Sequence, residues 1–167
     1  MLSFEVLRPG QKMRALAVIL GLGMLAGCQA QPLYGTFAGP DQSVSVSTAE
    51  QRVEQIVRNE LVLGFGGEHQ DSAYHLELAV TAGMSGILPG GLDNEFSAAR
   101  TTVTARYVLK SVSTGETVAS GSRSADAQLD LPSQLFAQER AKLEAEDRAA
   151  RAVAALVRAD VAAALAR

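Results

Sequence analysis

From Ser97 to Val112 the chain changes character at every second residue. Val103, Ala105, Tyr107 and Leu109 fall on one side; Thr102, Thr104, Arg106, Val108 and Lys110 fall on the other. A strand this long with one apolar face cannot stand alone. It needs neighbours in a sheet and a layer of structure over the apolar side. Thr114-Gly115 supplies a tight turn, and Glu116 to Ala125 returns as the next strand. Ser120, Gly121 and Ser122 make that strand weakly apolar, which suits a sheet edge.

Earlier segments supply the remaining strands. Ser43 to Ser47 places Val44 and Val46 on one face and reads as a short strand. Ser47-Thr48-Ala49-Glu50 has the form of a capping box, which predicts a helix from Thr48 to about Val62. Ala49, Val53, Ile56 and Val57 line one side of it, and Arg52, Gln55, Arg58 and Asn59 the other. Gly64-Phe65-Gly66-Gly67 ends it. Tyr74 to Thr81 alternates again, with Tyr74, Leu76, Leu78 and Val80 inward and His75, Glu77 and Thr81 outward. Strand, helix, strand predicts a parallel pair.

Ala82 to Phe96 holds Gly83, Gly86, Gly90, Gly91 and Pro89 and reads as a 15-residue loop. Loops of that length are uncommon unless functional or mobile. Ile87 and Leu88 are its candidate partner-contact residues, and a mobile flap is the other reading. Asp126 to Ser133 reads as irregular. From about Gln134 to Ala166 the pattern is helical, with Ala141, Ala145, Ala149, Ala152, Val153, Leu156, Ala159 and Ala163 as a stripe. Glu144 with Arg148, and Asp147 with Arg151, are pairs four apart that add roughly a few tenths of a kcal/mol each. The predicted fold is an α/β (α+β) two-layer sandwich: a four-stranded mixed sheet with two helices on one face. The other face, with Thr102, Thr104 and Arg106, is left to water or a partner.

The chain ahead of this domain reads differently. Lys12 and Arg14 precede an apolar run from Ala15 to Ala26. Its 12 residues span roughly 18 Å as a helix, short of a bilayer core of about 30 Å. A signal peptide fits, with Met1 or Met13 as the start. Leu25-Ala26-Gly27-Cys28 follows, with small residues immediately before the only cysteine. The tetrad resembles the lipobox of bacterial lipoproteins, which implies cleavage after Gly27 and lipidation of the Cys28 sulfur. The other reading of Cys28 is an ordinary buried thiol. The predicted organisation is a lipoprotein signal peptide over residues 1–27, a lipidated tether over 28–42, and a domain over 43–167. Within the tether Pro32-Leu33-Tyr34-Gly35 is a local apolar exception.

Of the 167 residues, 140 remain after cleavage before Cys28, the size of one domain. Arg8, Lys12, Arg14 and Glu5 leave with the leader, which takes the net charge from −3 to −5. A mildly acidic surface argues against a general nucleic-acid binder. No second cysteine offers a disulfide, so the core must hold the domain. Catalytic residues are not in sight. His69 lies near Glu68 and Asp71 without the spacing of a metal site, and His75 is on a strand. Gly64-Phe65-Gly66-Gly67 follows a helix where a phosphate loop would precede one. No serine has a nucleophile-elbow context. The expectation is a protein that is not an enzyme, with no metal and no cofactor.

Taken in order, these pieces resemble the lipopolysaccharide-assembly lipoprotein family LptE in its alphaproteobacterial form. The stretches that carry the resemblance are Leu25-Ala26-Gly27-Cys28 with Pro32-Leu33-Tyr34-Gly35, then Tyr74-His75-Leu76-Glu77-Leu78. Arg100 to Leu109 with Thr114-Gly115 comes next, and last the C-terminal helix rich in Ala, Arg and acidic residues. The resemblance implies a diacylglycerol and an N-acyl chain on Cys28, and an anchor in the outer membrane on its periplasmic face. It also implies a partner, the β-barrel LptD, which such a protein plugs and helps to assemble lipopolysaccharide at the cell surface. Lipopolysaccharide-binding basic residues are implied too, for which Arg100, Arg106, Lys110 and Arg123 are the candidates. On the residues alone these four equally suit solvated charges on an exposed sheet face. A lipid-anchored auxiliary subunit of another envelope export system is the alternative function.

Overall fold

The computed structural model describes residues 42–90 and 95–166, with side chains over 42–88 and 97–166. The expected signal peptide, the tether with Pro32-Leu33-Tyr34-Gly35, and Cys28 lie outside the described residues, apart from the tether's last residue. The elements are β1 (Val44–Val46), α1 (Arg52–Gly64), β2 (Tyr74–Gly90), β3 (Glu95–Ser111), β4 (Thr117–Asp130) and α2 (Leu135–Leu165). The strands lie in the order β1-β2-β3-β4. β1 runs parallel to β2, with Val44 opposite Tyr74. β2, β3 and β4 are an antiparallel meander. The two-layer α+β sandwich with a mixed sheet is therefore the fold of this chain.

Alternation in β3 sorts its side chains as expected. Val103, Ala105 and Leu109 are fully buried and Tyr107 nearly so, while Arg106 is exposed. Leu76 of β2 lies opposite Leu109 and is equally buried. Val57, Leu61 and Phe65 from α1 and Val153, Val157 and Val161 from α2 close over them. Ala145, Ala149, Ala150 and Ala154 of α2 are buried as well, and their small side chains let the helix axis lie close to the sheet.

The buried band of α2 departs from the expected stripe. It runs through Ala150, Ala154, Val157 and Val161, whereas Ala152, Leu156 and Ala163 are exposed. The cause is a second neighbour: the C-terminal part of α2 packs on α1 as well as on the sheet, so the covered arc rotates along the helix. Arg52 of α1 meets Glu146 at 3.1 Å and Asp147 at 2.6 Å. Glu60 meets Arg151 at 3.3 Å, and Gly64 leaves room for the Arg158 side chain. Contacts that advance together along both chains mean that the helices run parallel.

Three further boundaries differ from expectation. Ser47 does not cap α1, which starts at Arg52 with Gln51 before it and no side-chain cap. Instead Ser47 extends the β1 edge: its N–H donates to the Leu76 carbonyl at 2.9 Å, and its hydroxyl accepts from the Leu78 N–H at 3.0 Å. The residue that resembles a cap is used for strand pairing. Replacing Ser47 with alanine leaves the Leu78 N–H without this acceptor and is expected to cost about 1 kcal/mol, read as a lower urea midpoint with an unchanged slope.

Second, the described part of the 15-residue loop expected over Ala82 to Phe96 is strand. β2 continues to Gly90 and β3 begins at Glu95, with pairing maintained along both strands and register shifts only around Leu88. Ile87 and Leu88 are thus strand residues near the end of β2, exposed at 37 % and 56 %. Third, β4 extends past Ala125 to Asp130, which pairs with Ala98, so most of the stretch read as irregular is strand. In both places ladder hydrogen bonds outweigh the weak strand preference of Gly, Asp and Ser.

Candidate functional site

The helices leave one face of the sheet open. On β3 it carries Ala98, Arg100, Thr102, Thr104, Arg106, Val108 and Lys110, because odd-numbered neighbours point to the helices. Strand register sets Ala79 of β2 and Ser122 of β4 on either side of Arg106. Around them the surface is made of small hydroxyl side chains. Thr104 Oγ1 and Ser124 Oγ lie 3.0 Å apart, and Thr102 Oγ1 donates to Asp126 Oδ1 at 2.6 Å.

The three basic side chains of this face form a line along β3. Arg100 and Arg106 are about 20 Å apart, and Arg106 and Lys110 about 13 Å, at the usual rise per strand residue. Two are engaged: Lys110 Nζ lies 2.5 Å from Glu77 Oε1, and Arg100 Nη1 lies 4.0 Å from Asp126 Oδ2. Among the described residues Arg106 has no ion pair, and it is exposed. An exposed guanidinium between an alanine and a serine can donate to a phosphate or carboxylate without giving up a partner.

Arg123 is not part of this line. It lies opposite Ala105 and so points to the helix side, where its Nε and Nη2 hold Asp160 of α2 at 2.6 and 2.7 Å. The same carboxylate accepts the Tyr107 hydroxyl at 2.8 Å. The structure therefore brings Arg100, Arg106 and Lys110 onto one face and sets Arg123 on the other. The paired Arg123 holds the Asp160 carboxyl below its usual range. Burial, with the Asp160 bond, pushes the Tyr107 phenol up to about 12. Tyr107, Asp160 and Arg123 tie β3, β4 and α2 together. Sequence reasoning did not find this cluster, since residues 37 apart carry no periodic signal; the one hint is a glycine in the middle of β4.

That glycine is Gly121, opposite Tyr107. A Cβ there would stand 2.8 Å from the Tyr107 hydroxyl oxygen and 3.0 Å from Cζ. Gly121 is the space the ring lies in. Gly121→Ala is expected to cost about 1–2 kcal/mol through overpacking, seen as a lower melting temperature. Tyr107→Phe in the same chain should recover part of the loss.

Neither histidine gathers ligands. His75 Nδ1 is 2.9 Å from Ser45 Oγ, and His69 Nε2 is 3.4 Å from the Phe65 carbonyl. Among the described residues no three His, Cys, Asp or Glu side chains come together to hold a metal, and no helix is long and apolar enough to cross a membrane.

A helix-backed mixed sheet with one polar open face defines the structural class, and solved structures share it. A Caulobacter crescentus CB15 protein described as a lipoprotein superposes with a TM-score of 0.61 at 24% identity, over 74% of this chain and 90% of that one. Rare lipoprotein B from Shewanella oneidensis gives 0.58 at 13% identity, over 74% and 95%. A minor lipoprotein from Acinetobacter baumannii gives 0.52 at 11%, over 72% and 88%. At these identities the likeness is one of fold. No family model matches the chain, and no characterised protein sequence does.

Proposed function

We propose that this chain is a lipid-anchored, non-catalytic lipoprotein of the LptE kind, held at the periplasmic face of the outer membrane by acyl chains on Cys28. Its task is to plug the β-barrel LptD and assist it in delivering lipopolysaccharide to the cell surface. The observation that carries the reading is a conjunction. A lipobox-like Leu25-Ala26-Gly27-Cys28 stands, across a short tether, ahead of a domain whose fold is shared by three proteins described as lipoproteins. Several acyl chains anchor far more firmly than one, and a domain so tethered can act only on what is close to the membrane.

Arg106, with Arg100 and Lys110 along the same strand, is the surface that meets the phosphate groups of lipopolysaccharide. Arg123 faces the helices and contributes through Asp160 to holding the fold. Intact mass of the detergent-extracted protein should show a chain that begins at Cys28 and carries acyl groups. Affinity purification from membranes should bring down a large β-barrel. An unmodified chain, or an inner-membrane transporter in place of the barrel, overturns the reading. Arg106→Ser with Lys110→Ser should reduce lipopolysaccharide retention in a pull-down while leaving the melting temperature in place.

A further inference from the structure

β2 has 17 residues and β1 three. β1 covers the β2 edge at Tyr74–Leu76, and Ser47 extends that cover to Leu78. Beyond Leu78 the edge has no partner among the described residues. The groups that face β1 belong to even-numbered positions: the Tyr74 N–H donates to the Ser43 carbonyl at 3.1 Å, and the Leu76 carbonyl accepts from Ser47. Strand alternation carries the same orientation on to Val80, Ala82, Met84 and Gly86, ahead of the register shift between Gly86 and Leu88. Unpaired strand edges are ordinarily guarded by charge or proline. The β4 edge strand carries Arg123, Asp126 and Asp130, whereas Leu78 to Gly90 holds no charged residue, and its one proline, Pro89, stands at the far end.

A second observation concerns the space above this edge. α1 begins at Arg52, abreast of Glu146 and Asp147, while α2 reaches back to Leu135. Along that stretch the lane beside α2 that α1 fills further on holds none of the described elements. Leu143 and Phe136 lie one and three turns before Asp147, on the side of α2 that faces the lane. They are 38% and 80% exposed, and Met84, on the helix side of β2 opposite Thr101, is 49% exposed.

We propose that Val80–Gly86 is a strand-addition site for an extended, uncharged segment of another polypeptide, about seven residues long. Backbone groups of that segment pair with Val80, Ala82, Met84 and Gly86, and its alternate apolar side chains enter the lane beside Leu143 and Phe136. Length is set by Ser47 at one end and the irregularity at Gly86–Leu88 at the other. Neutrality follows from an edge with no charge to answer one. A second copy of β2 does not fit. Paired antiparallel, its hairpin would continue past Gly86 into the place of β1; paired parallel, two β1 strands would compete for one position. This inference rests on the sheet edge and is independent of the function proposed above.

The test uses the full chain in detergent and a capped seven-residue peptide of alternating threonine and valine, followed by amide hydrogen exchange. At millimolar peptide the amides of Val80, Ala82 and Met84 should exchange at least fivefold more slowly. Those of Ala79 and Thr81, which face β3, should not change. The same peptide with every backbone amide N-methylated, or the Ala82→Pro variant with the unmodified peptide, should abolish the slowing. Absence of slowing, or equal slowing with the methylated peptide, overturns the proposal. So does protection of the three amides before peptide is added. In that case sedimentation separates a self-associated edge from one filled by the chain's own residues ahead of Val44.

Discussion

Replacing Leu109 with alanine is expected to lower the unfolding free energy by about 2–5 kcal/mol. Leu109 is fully buried between Leu76 of β2 and Ala119 of β4, in a core cluster that draws on all four strands and both helices. Rigid neighbours on every side cannot collapse into the space, so the loss includes a cavity as well as the transfer of the missing carbons. Against a total of about 5–15 kcal/mol for an ordinary domain, this is a large share. Arg106→Ser, three residues away on the open face, is the internal comparison, expected within about 0.5 kcal/mol of the parent. Urea unfolding of both variants reads the difference directly, and similar midpoints would contradict the assignment of the two faces.

The second large effect is a loss of stability in alkali that one side chain controls. The Tyr107 phenol is pushed up to about 12 by burial and by its bond to Asp160, against about 10 in an unfolded chain. Below pH 10 both states hold the proton and the contribution is fully present. Between 10 and 12 the unfolded chain gives up the proton and the folded one keeps it, so stability falls as pH rises. At 1.36 kcal/mol per unit the fall is about 2–3 kcal/mol. Denaturant midpoints measured from pH 9 to 12 should show it, and Tyr107→Phe should lack that component while keeping whatever lysines contribute. Asp160 acts in the opposite sense. Its pKa is lowered, by the Arg123 bond first, so its contribution is present above about pH 4 and lost as pH falls through the folded value.

Much of this architecture is legible in the residues. Alternation in β3, the helical pattern of α2 and the strand–helix–strand opening give the mixed sheet, its parallel first pair and the side the helices cover. Local rules fail where tertiary pairing outweighs them. Gly83, Gly86 and Gly90 read as loop because glycine weakens an isolated strand, yet each is paired with β3. Ser47 has the hydroxyl and spacing of a helix cap, and only the position of Leu78 diverts it to a strand edge. The candidate basic residues were visible as residue types. Which face each one takes was not visible for Arg123, because a strand that starts at Thr117 after a register shift at Lys110 sets its parity by pairing with β3.

The sheet's strand order equals its order in the chain, which bears on how the molecule reaches its shape. β2 pairs with β3 and β3 with β4, each its neighbour in sequence, at small loop-closure cost. β1 is the exception. Its pairing with β2 waits for α1 to double back, and it offers three residues in return. The meander is therefore the part able to form first, and the opening strand with its helix is the last piece to lock and the first to be released.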